Sequence, residues 1–329
     1  MKKIRIGILG AARIVPTALI APARETEGVE IAAIAARDEQ RARAFAAKHG
    51  IPRALGSYAE IIADPAIDAI YNPLPNSLHA EWTIRALEAG KHVLCEKPLT
   101  ANAEEAERVA ETAKRTGRVC MEAFHWRYHP LAARMREIIE SGELGAMRRV
   151  ETWLCIPLPL PGDIRYRLDL AGGAMMDTGC YTVSMLRHLA GAEPRVLHAE
   201  AKLSSPGVDR WMRASMDFEG GLSGGITCSL FSLDLLHVEA RVTFERGEMS
   251  ALNPVAPQIY HHLTVRGDRG SRRERLSRVA SYTCQLRAFA AAVLEGAPIL
   301  TPADDAVKNM RVIDAVYRAA GLSPRGQSS

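Results

Sequence analysis

Up to residue 122, short apolar runs alternate with longer segments that have the periodicity of amphipathic helices. Such alternation predicts strands and helices that form a parallel, doubly wound sheet of the α/β class. The predicted strands are 3–9, 29–35, 67–71, 92–95 and 118–122. The predicted helices are 38–49, 78–89 and 103–116.

After residue 122 the apolar positions alternate over longer segments. The predicted strands are 147–156, 196–204, 210–218, 223–232 and 237–246, and the predicted helices are 130–141, 177–189, 282–294 and 302–319. Strands joined by the turn signals Gly220-Gly221 and Arg246-Gly247 predict an open, mostly antiparallel sheet with helices on one face. A chain of 329 residues exceeds one ordinary hydrophobic core. We therefore predict two domains, 1–122 and 123–329, with the helix 302–319 as a candidate to pack back on the first.

The composition is that of a globular protein, with 47% hydrophobic and 24% charged residues. A formal net charge of +4 is too small to indicate a nucleic-acid partner. No apolar stretch reaches the length of a membrane span. The 6 cysteines contain no C-x-x-C pair, which favours reduced thiols in the cytoplasm. The densest basic run is interpreted as a solvated loop, and its members are Arg266, Arg269, Arg272, Arg273, Arg275 and Arg278.

A glycine follows the first predicted strand, in the segment Gly10-Ala11-Ala12-Arg13-Ile14. Gly10 permits a tight strand-to-helix turn that directs backbone N–H groups at a pyrophosphate. The full G-x-G-x-x-G pattern is only partly met, because Ala12 and Val15 replace its second and third glycines. The segment indicates a dinucleotide site, and an ordinary scaffold turn is the alternative.

The end of the second predicted strand bears on the choice between NAD and NADP. In NAD sites an acidic residue there accepts hydrogen bonds from the ribose. Here Arg37 and Arg41 lie one helical turn apart and suit a 2′-phosphate, which guanidinium groups bind through paired hydrogen bonds. Asp38 could serve NAD, but we interpret it as the N-cap of the following helix. NADP(H) is favoured over NAD, with surface arginines as the alternative.

Three more residues carry groups suited to proton transfer. Lys97 follows a predicted strand, at the sheet edge where ligands bind. Asp177 and Tyr181 are four residues apart and share a helix face, and the preceding Gly172-Gly173 lets backbone approach a ligand. The carboxylate could orient a hydroxyl while the phenol, helped by a neighbouring cation, moves its proton. The alternatives are an exposed lysine, a capping aspartate and a core tyrosine.

The spacing of His125 and His129 could indicate a metal pair on one helix face. Pro130 disfavours a helix through both, and no carboxylate completes the set. We expect no metal.

Together these segments resemble the Gfo/Idh/MocA oxidoreductase family. The matching segments are 10–14, 76–79 (NSLH), 86–98 (ALEAGKHVLCEKP) and the pattern G-G-x-x-x-D-x-G-x-Y at 172–181. The resemblance implies a Rossmann domain followed by an α+β domain, and an NADP-dependent dehydrogenase or reductase acting on CH–OH groups. Many members have histidine where this chain has Tyr181. With tyrosine at this position, together with Arg37 and Arg41, the chain resembles the branch of the family that contains dimeric dihydrodiol dehydrogenase and NADP-dependent D-xylose 1-dehydrogenase.

That branch implies roles for individual residues. Tyr181 would be the acid/base and Lys97 its partner, and Asp177 would contact a sugar or cyclic diol. The predicted cofactor-binding residues are Gly10, Ala11, Ala12, Arg13, Ile14, Arg37, Asp38, Arg41, Pro73, Leu74, Asn76, His79, Glu96 and Lys97. The predicted substrate-binding residues are Arg127, Arg165, Asp177 and Tyr181. The resemblance also implies a homodimer through the C-terminal sheet, or a higher homo-oligomer.

Two other functions remain open at this point. One is a non-catalytic sensor that binds a nucleotide and a sugar on the same scaffold. The other is an NADPH-dependent keto-sugar reductase. The joint presence of Lys97, Asp177 and Tyr181 argues against the sensor, because a sensor would not need all three.

Overall fold

The computed structural model describes residues 3–160, 162–268 and 270–326, which form two compact units. The first unit comprises 3–100, 104–128 and 280–307. The second comprises the described residues of 101–103, 129–279 and 308–326.

A parallel sheet is the centre of the first unit. Its strands are β1 (Ile4–Leu9), β2 (Val29–Ala35), β3 (Ala54–Leu55), β4 (Ala69–Asn72), β5 (His92–Cys95) and β6 (Cys120–Glu122). Its order is β3-β2-β1-β4-β5-β6. The helices between the strands are α1 (Ala21–Arg24, after a π-helical turn Pro16–Ile20), α2 (Glu39–His49), α3 (Tyr58–Ala63), α4 (Asn76–Glu88) and α5 (Ala103–Thr116). The predicted doubly wound parallel sheet is confirmed.

The first unit also takes in a helix from far along the chain, α8 (Ser281–Glu295). Its Leu286 and Phe289 are fully buried in one apolar core with Ile8 and Tyr71 of the parallel sheet. The predicted domains assigned this helix to 123–329. The structure differs because burial of the apolar face of α8 requires a partner surface, and the sheet supplies one.

The second unit is built on an eight-stranded sheet. Its strands are β7 (Met147–Cys155), β8 (Arg195–Ser205), β9 (Val208–Asp217), β10 (Ser223–Ser229), β11 (His237–Phe244), β12 (Gly247–Leu252), β13 (His262–Gly267) and β14 (Gly270–Glu274). Their order is β14-β13-β12-β11-β7-β10-β9-β8. All neighbours are antiparallel except β7 and β10. Strand β7 therefore joins two antiparallel meanders, and the predicted mostly antiparallel sheet is confirmed.

The helices of this unit are α6 (Pro130–Glu140), α7 (Cys180–Ala190) and most of α9 (Ala303–Ala319). Helix α7 packs against β7 and β10. The Thr152 hydroxyl of β7 donates to the Thr182 carbonyl of α7 at 2.9 Å. Among the described residues, no helix has both the length and the apolar character needed to cross a membrane.

The basic run interpreted as a solvated loop is exposed at its described members, but only Arg275 and Arg278 lie outside strands, so the loop part of that interpretation was wrong for the rest. Arg266 lies in β13, and Arg272 and Arg273 lie in the exposed edge strand β14. Arg269 falls outside the described residues. Charged side chains on an edge strand discourage pairing with another chain, which is why this strand lacks an apolar pattern.

Candidate functional site

The turn after β1 has the backbone geometry expected of a dinucleotide site. Gly10 has a φ of +86°, and its N–H donates to the Ala35 carbonyl at 2.6 Å. A β-carbon at Gly10 would come within 3.0 Å of the Leu74 side chain, so glycine is required for space and for conformation. Ala11, Ala12 and Ile14 are half-buried, and Arg13 is exposed.

Arg37 and Arg41 lie just beyond the end of β2 and are both exposed. The carboxylate of Asp38 between them accepts from the backbone N–H of Gln40 at 2.9 Å and of Arg41 at 3.3 Å. Asp38 thus caps α2, as predicted. Because its side chain serves the helix start, the two guanidinium groups are the side chains at this edge best suited to a nucleotide phosphate.

Sequence analysis did not single out Tyr58, which lies beside Gly10 and the two arginines. Its hydroxyl lies 3.6 Å from where a β-carbon of Gly10 would stand, and its ring packs edge-on against Trp82. Burial raises the pKa of Tyr58, and the charges of Arg37 and Arg41 oppose that rise, so the phenol lies within their field. The signal was the capping pair Ser57 and Glu60: the Ser57 hydroxyl accepts from the Glu60 N–H at 3.1 Å at the start of α3.

His79 on α4 connects two loops at the carboxyl edge of the parallel sheet. Its Nδ1 lies 2.8 Å from the Pro98 carbonyl oxygen and its Nε2 lies 2.6 Å from that of Leu74. Burial lowers its pKa to about 4, although both carbonyls act in the opposite direction. Since both nitrogens face the main chain and the side chain is 1% exposed, these contacts favour a role for His79 in holding the two loops. Its predicted contact with the cofactor stays a prediction.

Lys97 lies in the loop that His79 holds. It is half-buried, and its positive charge contributes to the lowered pKa of His79. The neighbouring Glu96 accepts from the Tyr71 hydroxyl at 2.7 Å, and the Glu96 N–H donates to the Asn72 carbonyl at 3.0 Å. Glu96 is only 9% exposed, which favours a role in fixing the loop. Cofactor contact by Glu96 stays a prediction.

The other predicted residues of the first unit follow β4 or precede α6. Pro73 and Leu74 are buried, and Asn76 at the start of α4 is half-buried. Arg127 lies with its Nη1 3.6 Å from a carboxylate oxygen of Asp305, and its side chain is 13% exposed. Those contacts favour a structural role for Arg127, and its predicted substrate contact stays a prediction.

The histidines considered as a metal pair serve other partners. Residues 125–128 form a 3-10 turn, and α6 begins only at Pro130. His125 Nδ1 lies 2.8 Å from the Ser281 hydroxyl, and His129 Nδ1 accepts from the Leu131 N–H at 3.1 Å.

In the second unit, Arg165 and Asp177 form an ion pair. Arg165 Nε donates to the Asp177 carboxylate at 2.9 Å, and its Nη1 donates to Asp163 at 3.1 Å. Burial opposes the charge on Arg165, but the two carboxylates outweigh it and raise the pKa of the guanidinium. The Gly173 N–H donates to the Arg165 carbonyl at 2.8 Å, which closes the loop. The structure thus brings together two predicted substrate residues.

Asp177 and Tyr181 lie on one continuous helical segment that starts earlier than predicted. Met175–Gly179 is a π-helical turn, and α7 continues from Cys180. Asp177 is half-buried and Tyr181 is 6% exposed. Single π-helical turns are frequent at functional sites because they change the register of the side chains that follow.

Two family models match this chain in succession. Residues 4–124 match the oxidoreductase family with an NAD-binding Rossmann fold, and residues 132–250 match the GFO/IDH/MocA C-terminal domain. The chain belongs to the Gfo/Idh/MocA oxidoreductase family. The resemblance found from the sequence is confirmed.

Similar members of the Gfo/Idh/MocA family have named activities. D-xylose 1-dehydrogenase (NADP(+)) 2 of Haloferax volcanii is 40% identical over 95% of this chain and 96% of its own length. Trans-1,2-dihydrobenzene-1,2-diol dehydrogenase of Mus musculus is 34% identical over 62% of this chain and 61% of its own. A solved 3-ketoreductase from Actinomadura kijaniata, in complex with NADP and TDP-benzene, has a TM-score of 0.90 at 28% identity, covering 97% of this chain and 98% of that one. Solved structures of that reductase include a tyrosine-to-phenylalanine and a lysine-to-alanine variant.

Proposed function

We propose that this chain is an NADP(H)-dependent oxidoreductase that moves a hydride between nicotinamide and a hydroxyl-bearing carbon of a sugar or cyclic diol. The observation that carries the proposal is the Arg165–Asp177 ion pair on the helical segment that also bears Tyr181. An oriented carboxylate and a phenol on one segment suit recognition of a hydroxyl and removal of its proton. The similarity to an NADP-dependent D-xylose 1-dehydrogenase supports the substrate class.

The residues of the first unit fit the dinucleotide. Gly10 leaves the room that a side chain would fill, and Arg37 and Arg41 with the Tyr58 hydroxyl suit a 2′-phosphate. NADP+, when bound, supplies the hydride acceptor, and NADPH the donor.

Residues of the chain itself transfer the proton of the substrate hydroxyl. Tyr181 removes the hydroxyl proton during oxidation and returns it during reduction, and Lys97 is the second residue that we assign to this step. Asp177 accepts a hydrogen bond from the substrate and so orients it, while the hydrogen bond from Arg165 holds the Asp177 carboxylate in place. Orientation of this kind supplies much of an enzyme's rate advantage.

Two substitutions test this assignment, Tyr181→Phe and Lys97→Met. Each should lower turnover by roughly 10²–10⁴-fold, the usual contribution of general acid–base catalysis, while NADPH binding is retained. The assay follows nicotinamide absorbance with NADP+ and NAD+ against aldoses, inositols and cyclic diols, and the best substrate is then used for the variants. Tyr260→Phe and Lys114→Met, both at exposed positions, are matched controls. A variant with full turnover would exclude its residue from the proposed role.

A keto-sugar reductase is the second candidate, and the fold similarity to the 3-ketoreductase favours it. Reduction of a keto sugar with NADPH in the same screen, without oxidation of any aldose or diol, would select it. Binding of NADPH and a sugar without turnover in either direction would instead select the non-catalytic sensor.

We further propose a homodimer in the cytoplasm. The face of β7 opposite α7 presents Trp153, which stacks on His237 with ring centroids 4.9 Å apart and lies 5.4 Å from the Arg241 guanidinium. Aromatic and arginine side chains are enriched at interfaces between proteins. All 6 cysteines are free thiols, and 5 of them are buried, which suits a reducing compartment.

A further inference from the structure

A buried ion pair lies behind the turn that leads to Asp177. Arg325 Nη2 donates to Asp209 Oδ1 at 2.6 Å, and the residues are 2% and 0% exposed. Removing two charges from water costs several kcal/mol unless their other hydrogen-bonding groups are also satisfied. The other hydrogen-bond partners of Arg325 and Asp209 therefore show which part of the chain this ion pair holds.

Asp209, on β9, holds the first backbone N–H of the π-helical turn. Its Oδ2 accepts from the Met175 N–H at 2.6 Å, and its Oδ1 also accepts from the Tyr317 hydroxyl at 3.0 Å. Ala174, at the cap position, has no side-chain acceptor. A carboxylate at a helix N-terminus satisfies an otherwise open donor and interacts favourably with the helix dipole. Asp209 thus acts as the cap, from another strand.

Arg325 holds the chain just before that point. Its Nε donates to the Gly172 carbonyl at 2.7 Å, and its guanidinium carbon lies 4.2 Å from the centre of the Tyr317 ring. Gly173, between the two anchored residues, has a φ of +131°, and a methyl group there would collide with the Asp209 carboxylate. The ion pair therefore fixes the turn on both sides of Gly173.

We propose that Asp209 and Arg325 are positioning residues that set the path of 172–177 and thereby hold Asp177 where it meets the substrate. The inference rests on the proposed function, because it assigns the pair to the same reaction. Neither residue touches the reacting groups. Their effect comes from geometry, and a displacement of about 1 Å in a catalytic site can cost roughly 100-fold in rate.

Three variants separate positioning from simple stabilisation. They are Arg325→Met, Asp209→Leu and the double variant, with Arg318→Met, at an exposed arginine of α9, as the control. Replacing both members of a buried ion pair by apolar residues commonly restores stability, whereas removing one leaves a buried charge. The double variant should therefore unfold at a higher temperature than Arg325→Met. It should not reach the midpoint of the wild type, because the Met175 N–H and the Tyr317 hydroxyl lose their acceptor, and the turn stays unanchored.

The main measurement is amide hydrogen exchange over residues 172–181, with β7 as an internal reference. In Arg325→Met and in the double variant, exchange of this segment should accelerate by about tenfold or more while that of β7 is unchanged. With the best aldose or diol from the screen and NADP+, kcat should fall by roughly 100-fold with the NADPH dissociation constant unchanged. The Arg318→Met control should match the wild type.

Recovery of both slow exchange and kcat in the double variant would overturn the proposal, because the pair would then act on stability alone. If Arg325→Met does not fold, Arg325→Lys keeps the charge but loses the planar fork that reaches Gly172, and unchanged exchange in it would equally overturn the proposal. The wild-type screen separates the two claims. Absence of turnover with every sugar and diol in either direction, together with a loosened turn in Arg325→Met, would refute the proposed function and leave the role of Arg325 in fixing the turn intact.

Discussion

We expect single side chains beyond β2 to decide the choice of cofactor. A charge-assisted hydrogen bond to phosphate is worth about 1.5–3 kcal/mol. Arg37→Ala should therefore weaken NADPH binding by roughly tenfold to a hundredfold and leave NADH binding nearly unchanged. Fluorescence titration with both cofactors measures this. Arg43→Ala is the control, because that exposed arginine of α2 pairs with Glu39 at 2.6 Å. Equal use of NADPH and NADH by the wild-type protein would contradict the assignment.

Individual residues were predictable where a motif fixes both type and position. Gly10, the Asp38 cap and the neighbourhood of Arg165 and Asp177 came from such patterns. Tyr58 did not, because its approach to Gly10 and the two arginines depends on how α3 packs. The contacts of His79 with the two loops were not predicted, since the motif that contains it does not reveal that both ring nitrogens face main-chain carbonyls.

At the scale of elements, Asp38 provides a test of capping against ribose binding. Asp38→Ser keeps a cap and should leave the free energy of unfolding within a few tenths of a kcal/mol, whereas Asp38→Ala should lower it by about 1 kcal/mol. Neither change should lower the affinity for NADH. Thermal unfolding and NADH titration of both variants give the answer. A loss of NADH affinity in Asp38→Ser would mean that the carboxylate binds the ribose.

Long elements were predicted within a few residues, and short or exposed ones were missed. Helix α3 has only 6 residues, and its capping pair Ser57 and Glu60 was its only clear signal. Strands β12 and β13 each have only two alternating buried apolar positions, which is a short signal, and the edge strand β14 has none. The π-helical turn could not be predicted, because its first N–H is held by Asp209, 34 residues further along the chain.

At the scale of the whole molecule, two buried histidines should make stability depend on pH. Burial lowers the pKa of His79 and of His129 from 6.5 to about 4. Because the unfolded chain binds these protons more tightly, the full stability is present above pH 6.5 and is lost as the pH falls towards 4. Each histidine accounts for about 3 kcal/mol at most.

The measurement is the thermal unfolding midpoint between pH 7.5 and 4.5. His129→Asn keeps an N-cap but cannot titrate, so its midpoint should fall less steeply with acid. His198→Gln, at an exposed site, is the control. An identical slope in the wild type and His129→Asn would show that His129 is not responsible.

Subunit association is the second property of the whole molecule that can be tested. A homodimer through the open face of the eight-stranded sheet should appear as twice the chain mass of 35.9 kDa in light scattering. Trp153→Asp removes the aromatic surface that the proposed interface would bury and should shift the protein to the monomer mass. Leu294→Asp, at an exposed leucine of α8, should remain dimeric. A wild-type protein of monomer mass would contradict the proposed dimer.

The central position of β7 affects the order in which the strands of the second sheet can pair during translation. This strand leaves the ribosome before both of its neighbours, yet β8, β9 and β10 can pair with one another locally, as can β11 to β14. Its own pairing requires closure of long loops, which is entropically costly and slow compared with hairpin formation. During translation both edges of β7 therefore stay unpaired until β10 and β11 have been synthesised. We expect β7 to be the segment of this unit most exposed to chaperones and to aggregation.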